Sequence, residues 1–173
     1  KMAEEALFEH VAKYLQPEFF KENRTKPNAP FTDQLTTKQV NSIMERAVLQ
    51  SERYRSMKAA GASQEEIHKA FHTRTMMSVF TYHGDIDTMM TPIDSIRYNK
   101  SFLRAGFMCM EPATGMVKAY VGGLDYSHFM YDMVMGGRRQ VGSTIKPLLY
   151  SLAMENGFPP CAMVPNVPHT YMV

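Results

Sequence analysis

The sequence reads as an α+β protein, an antiparallel sheet with helices packed on it. Three observations predict that class. As far as about residue 72, apolar residues recur at helical spacing behind capping residues. From Thr75 to Val121 the pattern shifts to short extended runs joined by turn residues. A last apolar helix then opens at Ser143 and is expected to be buried.

The helical part comes first. Leu7, Phe8, Val11, Tyr14 and Leu15 form one face, opposite Glu4, Glu5, Glu9 and Lys13. Pro17 is expected to end that helix, and Pro17, Pro27 and Pro30 predict an irregular connection to Phe31. Thr36 and Gln39 form a capping box ahead of Val40, Ile43, Met44, Ala47 and Val48. This helix is expected to run to about Ala60, with Gly61 as a left-handed stop. Ser63 and Glu66 repeat the box before Ile67, Ala70 and Phe71. His10, His68 and His72 are single histidines on helices, with solvated or structural roles.

The extended part follows. Val79, Phe80 and Tyr82 favour a strand over Thr75–Tyr82, and His83, Gly84 and Asp85 a turn into a second extended run to Met90. Asp85 and Asp87 suggest a carboxylate pair, but turn chemistry and a solvent-facing strand position account for both. Pro92 to Asn99 predicts a short helix capped by Thr91. Ala105–Met110 and Met116–Val121 predict a hairpin around Glu111, Pro112, Ala113, Thr114 and Gly115. Leu124 to Arg139 reads as a long loop. Ile145, Leu148, Leu149, Leu152 and Ala153 mark the final helix, which Gly157 closes.

Composition narrows the function. A net charge of +2 with interspersed signs argues against nucleic acid as a partner. Cys109 and Cys161 have neither CxxC spacing nor a histidine pair nearby, which argues against zinc. They read as small buried hydrophobes, with their pairing left open. The 16 methionines read as core filler. Neither an apolar run of about 18 residues nor a signal-peptide pattern occurs. Both ends read as cuts within a longer protein.

The chemistry concentrates in Arg138-Arg139-Gln140-Val141-Gly142-Ser143-Thr144-Ile145-Lys146-Pro147. Ser143 and Lys146 lie about one turn apart at a helix start. A serine hydroxyl becomes a useful nucleophile only when a base takes its proton. A lysine can be that base when burial or positive charge holds it neutral. The helix start favours an oxyanion, toward which the Ser143 backbone N–H can point. Ser-x-x-Lys alone carries little weight, since a chain this long has about an even chance of containing one. A capping serine with a first-turn lysine would look the same.

The surrounding residues are more specific. Arg139 to Pro147 closely resembles the active-site serine motif of class A penicillin-binding proteins. Phe107 to Gly115 and Val117 to Gly123 resemble that family's first hairpin. Leu148 to Gly157 and Asn166 to Pro168 resemble the segment after the serine, and Thr91 to Ile96 and Ala3 to Ala6 resemble its lead-in segments. The implied fold is part of a penicillin-binding transpeptidase, similar to serine β-lactamases and DD-peptidases. Residues 1–100 would be a mainly helical lead-in with a hairpin at about 75–90. Residues 101–173 would begin the transpeptidase domain, with a hairpin at 105–121, a loop at 122–142 and the active-site helix at 143–156.

The resemblance implies an enzyme, a serine D-Ala-D-Ala transpeptidase that cross-links peptidoglycan without metal or cofactor. Ser143 would be the nucleophile and oxyanion-hole donor, Lys146 the general base, and Gly142 and Thr144 substrate-binding residues. Peptidoglycan stem peptides and β-lactam antibiotics would be its partners. The parent protein would be membrane-anchored, with this segment soluble on the periplasmic side of the inner membrane. The family's Ser-x-Asn and Lys-[Ser/Thr]-Gly elements do not occur among these residues. They are expected beyond Val173, and a glycosyltransferase domain before Lys1. This piece alone is therefore expected to be inactive, and to self-associate through an incomplete sheet. A non-turnover β-lactam sensor or peptidoglycan-binding module is the first alternative, and a serine β-lactamase the second.

Overall fold

The computed structural model describes residues 1–163 and Val167. Asn166 and Pro168, which carry part of the resemblance after the serine, lie outside the described residues. The chain divides into two compact units, residues 1–136 and 137–173.

The first unit opens on a helical rod that runs through the proline expected to end it. Helix α1 (Met2–His10) passes into a π-helical turn (Val11–Leu15) and then into α2 (Gln16–Asn23), with Pro17 in the first turn of α2. The Gln16 backbone N–H donates to the Val11 carbonyl, five residues back. A proline clashes with the α-helical turn before it, and widening that turn provides room. The wider turn also changes which side chains face inward. Tyr14 and Leu15, expected on the apolar stripe, are 60% and 46% exposed, while Val11 and Gln16 are the most deeply buried side chains.

Both capping boxes form. Thr36 heads α3 (Thr37–Gln50), and Ser63 heads α5 (Gln64–His72). The single helix expected to reach Ala60 is instead two, because Ser51 is extended and starts α4 (Glu52–Ala59). The Ser51 hydroxyl donates to the Val48 carbonyl at 2.7 Å and accepts the Tyr54 N–H at 3.2 Å. A serine offers the backbone this alternative to continuing the helix. Gly61 and Gly157 take positive φ at the expected helix ends. Tyr54, Ile67 and Phe71 form the buried centre of this helical part, with Val48, Met57 and Ile96 against it.

Strands β1 (Thr75–Val79) and β2 (Ile86–Met90) pair antiparallel from Thr75↔Met90 to Val79↔Ile86. Thr91 caps α6 (Pro92–Lys100) by accepting the Asp94 N–H at 3.2 Å. Strands β3 (Phe107–Met110) and β4 (Val117–Val121) form the second hairpin, with a register shift between Cys109 and Met110. The class is α+β, with two separate two-stranded sheets in place of one. A second core joins these pieces. Phe80, Phe102 and Phe129 meet edge-to-face or tilted, with Phe80 centred 5.0 Å from each of the other two rings. The Tyr98 hydroxyl donates to the Phe80 carbonyl at 2.9 Å, and the Arg104 guanidinium lies over the Phe129 ring at 3.2 Å.

In the second unit, a 3-10 turn (Gly142–Ile145) leads directly into α7 (Lys146–Glu155). This helix was expected to be buried, yet none of its residues is; Leu148, Leu149 and Leu152 are all exposed. A ten-residue helix in so small a unit has little surface to pack on.

Candidate functional site

The serine site is built by one turn of chain. Gly142 takes φ +51°, in the left-handed region that glycine enters without steric cost. That reversal delivers Ser143 into the 3-10 turn, where its side chain is exposed. Thr144 tightens the turn: its backbone N–H donates to the Val141 carbonyl at 3.1 Å, and its hydroxyl donates to the same oxygen. The Lys146 backbone N–H donates to the Ser143 carbonyl, which holds the two residues one turn apart. Pro147 then occupies the first turn of α7, where a missing N–H costs nothing.

All four residues singled out in the sequence therefore share this one short segment. The side-chain chemistry is less assembled. Among the described residues, no hydrogen bond joins the Ser143 hydroxyl to the Lys146 amine. Lys146, like Ser143, is exposed. Cys109 and Cys161, read as small buried hydrophobes, are both exposed free thiols. No group of three or more His, Cys, Asp or Glu among the described residues is placed to hold a metal ion. No helix among them is long and apolar enough to cross a membrane.

Two polar clusters that the sequence reading passed over lie in the first unit. The Tyr120 hydroxyl donates to Asp132, whose Oδ1 also accepts the Val134 and Met135 N–H groups at 2.8 and 3.0 Å. These bonds hold the Asp132 carboxyl below its ordinary range, and the bond to Asp132 pushes the Tyr120 phenol up. In the second cluster His128 lies between two carboxylates. Its Nδ1 is 3.0 Å from Asp125 and its Nε2 is 3.1 Å from Asp85. Burial pushes the Asp125 carboxyl up, but hydrogen bonds from Ser127 and His128 outweigh it and hold it at about 2. Asp85 was read as turn chemistry, and Asp87 stands exposed on β2. The partnership between Asp85 and His128 spans 43 residues, a separation at which no local pattern signals it.

Comparison with known proteins finds similarity over part of the chain. Residues 26–103 match the penicillin-binding protein middle domain. The chain is 44% identical over 64 residues to penicillin-binding protein 2D of Bacillus subtilis, covering 37% of this chain and 9% of that protein. It is 36% identical over 66 residues to penicillin-binding protein 1A of Escherichia coli, covering 38% and 8%. It is 29% identical over 69 residues to penicillin-binding protein 1A of Pseudomonas aeruginosa, covering 40% and 8%. The matched stretch thus spans under a tenth of the length of these curated relatives. No solved structure matches the chain. The chain is thus similar to the penicillin-binding proteins over its middle-domain segment and over the stretch it shares with the 1A and 2D proteins.

Proposed function

We propose that this chain is the part of a peptidoglycan-cross-linking DD-transpeptidase that carries the nucleophile. The observation behind this reading is the turn from Gly142 to Lys146, where an exposed serine precedes a helix, in a chain related to penicillin-binding proteins. Ser143 Oγ attacks the penultimate D-Ala carbonyl of a stem peptide, and its proton passes to a base, for which Lys146 is the candidate. The amide bond breaks, and the terminal D-Ala leaves with a proton on its amine. The amine of a neighbouring stem then attacks the acyl-enzyme, forms the cross-link and returns Ser143 to its hydroxyl form. The Ser143 backbone N–H is the candidate oxyanion donor, and Gly142 and Thr144 shape the approach. No metal or cofactor enters these steps.

The 173 residues contain neither Ser-x-Asn nor Lys-[Ser/Thr]-Gly, and Lys146 is exposed, so the chain by itself is proposed to be nearly inactive. Its setting in the whole protein is the extracytoplasmic face of the inner membrane, where stem peptides and β-lactams reach it. The exposed Phe107, Met108, Met110 and Val117 of the second hairpin support self-association of the isolated chain.

The test is covalent labelling of the whole protein with a fluorescent penicillin. The expected result is one adduct, mapped by mass spectrometry to the peptide holding Ser143 and lost in Ser143→Ala. Labelling that persists in that variant, or maps elsewhere, overturns the assignment. Slow loss of the adduct fits a transpeptidase, whereas rapid hydrolysis points to a β-lactamase.

A further inference from the structure

His128 offers both ring nitrogens to carboxylates from different parts of the chain. Asp125, at 3.0 Å from Nδ1, belongs to the same loop. Asp85, at 3.1 Å from Nε2, belongs to the β1–β2 turn, which also contains Gly84 and His83. The ring is further fixed by Phe80, centred 4.9 Å away, and the His128 backbone N–H donates to Asp125 Oδ1 at 3.0 Å. A neutral imidazole has one N–H and one lone pair, so it can donate to only one of the two carboxylates. Its lone pair would then face the other at hydrogen-bond distance. Only the imidazolium, with two N–H groups, satisfies both. The Ser127 hydroxyl donates to Asp125 at 2.6 Å and so turns its oxygen lone pairs toward His128 Nδ1, 3.0 Å away, which keeps the one proton of a neutral ring on Nδ1 and leaves the Nε2 lone pair facing Asp85.

From this geometry we infer that His128 is a protonation-dependent clasp, which fastens the 124–132 loop to the turn of the first hairpin when charged and releases Asp85 when neutral. The ionisable groups facing the imidazole are Asp85 from the hairpin turn and Asp125 from its own loop. The Arg104 guanidinium lies over the adjacent Phe129 ring. The hydrogen bond to Asp125 is the main cause that holds the His128 pKa above its ordinary value; burial opposes it, and the hydrogen bond to Asp85 and the two carboxylate charges add to it. A raised folded-state pKa means that the clasp's stabilisation is fully present below the unfolded value of about 6.5 and is lost as pH rises through the folded value. The inference does not depend on the role of Ser143.

The experiment follows the His128 ring and the loop amides by NMR in the full chain, in Asp85→Asn and in His128→Gln. In the wild type the ring is expected to titrate above about 6.5. In Asp85→Asn its midpoint is expected to fall by about half a unit, equivalent to about a threefold change in the balance of fastened and released loop. Exchange of the loop amides, corrected for intrinsic rates, is expected to be about threefold slower at pH 5.5 than at pH 8.5 in the wild type. That difference should vanish in both variants. A wild-type midpoint at or below the ordinary histidine value overturns the clasp. So does an Asp85→Asn midpoint that does not move, or a pH-dependent exchange difference that survives in His128→Gln.

Discussion

Gln16 Oε1 accepts the Leu103 backbone N–H at 2.8 Å across 87 residues of sequence. The same side chain donates through Nε2 to the Ser101 carbonyl at 2.9 Å, and the Tyr82 hydroxyl donates to it at 3.4 Å. At 1% exposure it is the one buried polar side chain among the described residues. It ties the first rod to the end of α6 and to the aromatic core.

Replacing Gln16 by leucine takes the side-chain partner from the partly buried Leu103 N–H and Ser101 carbonyl. The expected cost is about 3 kcal/mol, read from urea unfolding of the chain. A loss under about 0.5 kcal/mol would show that water or a backbone shift replaces the amide. Gln16→Glu should be more stable near pH 4 than at pH 7. Burial raises a carboxyl's pKa, and only the protonated form can donate to Ser101.

Gly106 is predicted to be intolerant for a reason of space. A Cβ built there would lie 2.8 Å from Val134 Cγ2 and 3.1 Å from both Met133 Cβ and the Val134 backbone nitrogen. Gly106→Ala should cost about 1–3 kcal/mol, measured by thermal and urea unfolding. The loop around residues 133–134 should then show faster hydrogen exchange than the helical part. Unchanged stability would mean that this loop is not packed on the start of β3.

The Tyr120–Asp132 bond should be indifferent to pH across the neutral range. Asp132 has a lowered pKa, so its contribution is present above about 3.8 and is lost as pH falls through the folded value. Tyr120 has a raised pKa, so its contribution is present below about 10 and is lost as pH rises through the folded value. In Tyr120→Phe the Asp132 carboxyl should titrate closer to about 3.8, as read by carbon-detected NMR. An unmoved midpoint would assign the depression to the Val134 and Met135 N–H groups alone.

Ser143→Ala should leave stability within about 0.5 kcal/mol of the parent, because the side chain is exposed and the turn is held by backbone bonds and Thr144. Matched unfolding curves check this. They also establish that any loss of penicillin labelling in that variant is chemical rather than structural.

Local chemistry was the legible part of the chain. The boxes at Thr36 and Ser63, the Thr91 cap and both hairpins depend on residues within a few positions of one another, and all form, with β1 stopping at Val79 rather than Tyr82 and β3 starting at Phe107 rather than Ala105. The Gly142–Lys146 turn is equally local. Two expectations differ from the structure, one by giving a single residue too much weight and one by giving it too little. Pro17 did not end its helix, because a wider turn removed the clash, and Ser51 broke one that its neighbours would have continued. The partnerships of Gln16 with Leu103, Tyr98 with Phe80 and His128 with Asp85 were illegible. Each joins residues that no helical or strand period relates, and only the tertiary fold brings them together.

The wide turn before Pro17 makes the first rod a vernier. Each residue gained or lost between Val11 and Leu15 would rotate everything beyond it by about 100° about the axis. Length at that point is therefore a setting for aim. A one-residue deletion there would turn Gln16 away from Ser101 and Leu103 and present another side chain to them. Relatives that vary in length through the rod should vary at Gln16 as well.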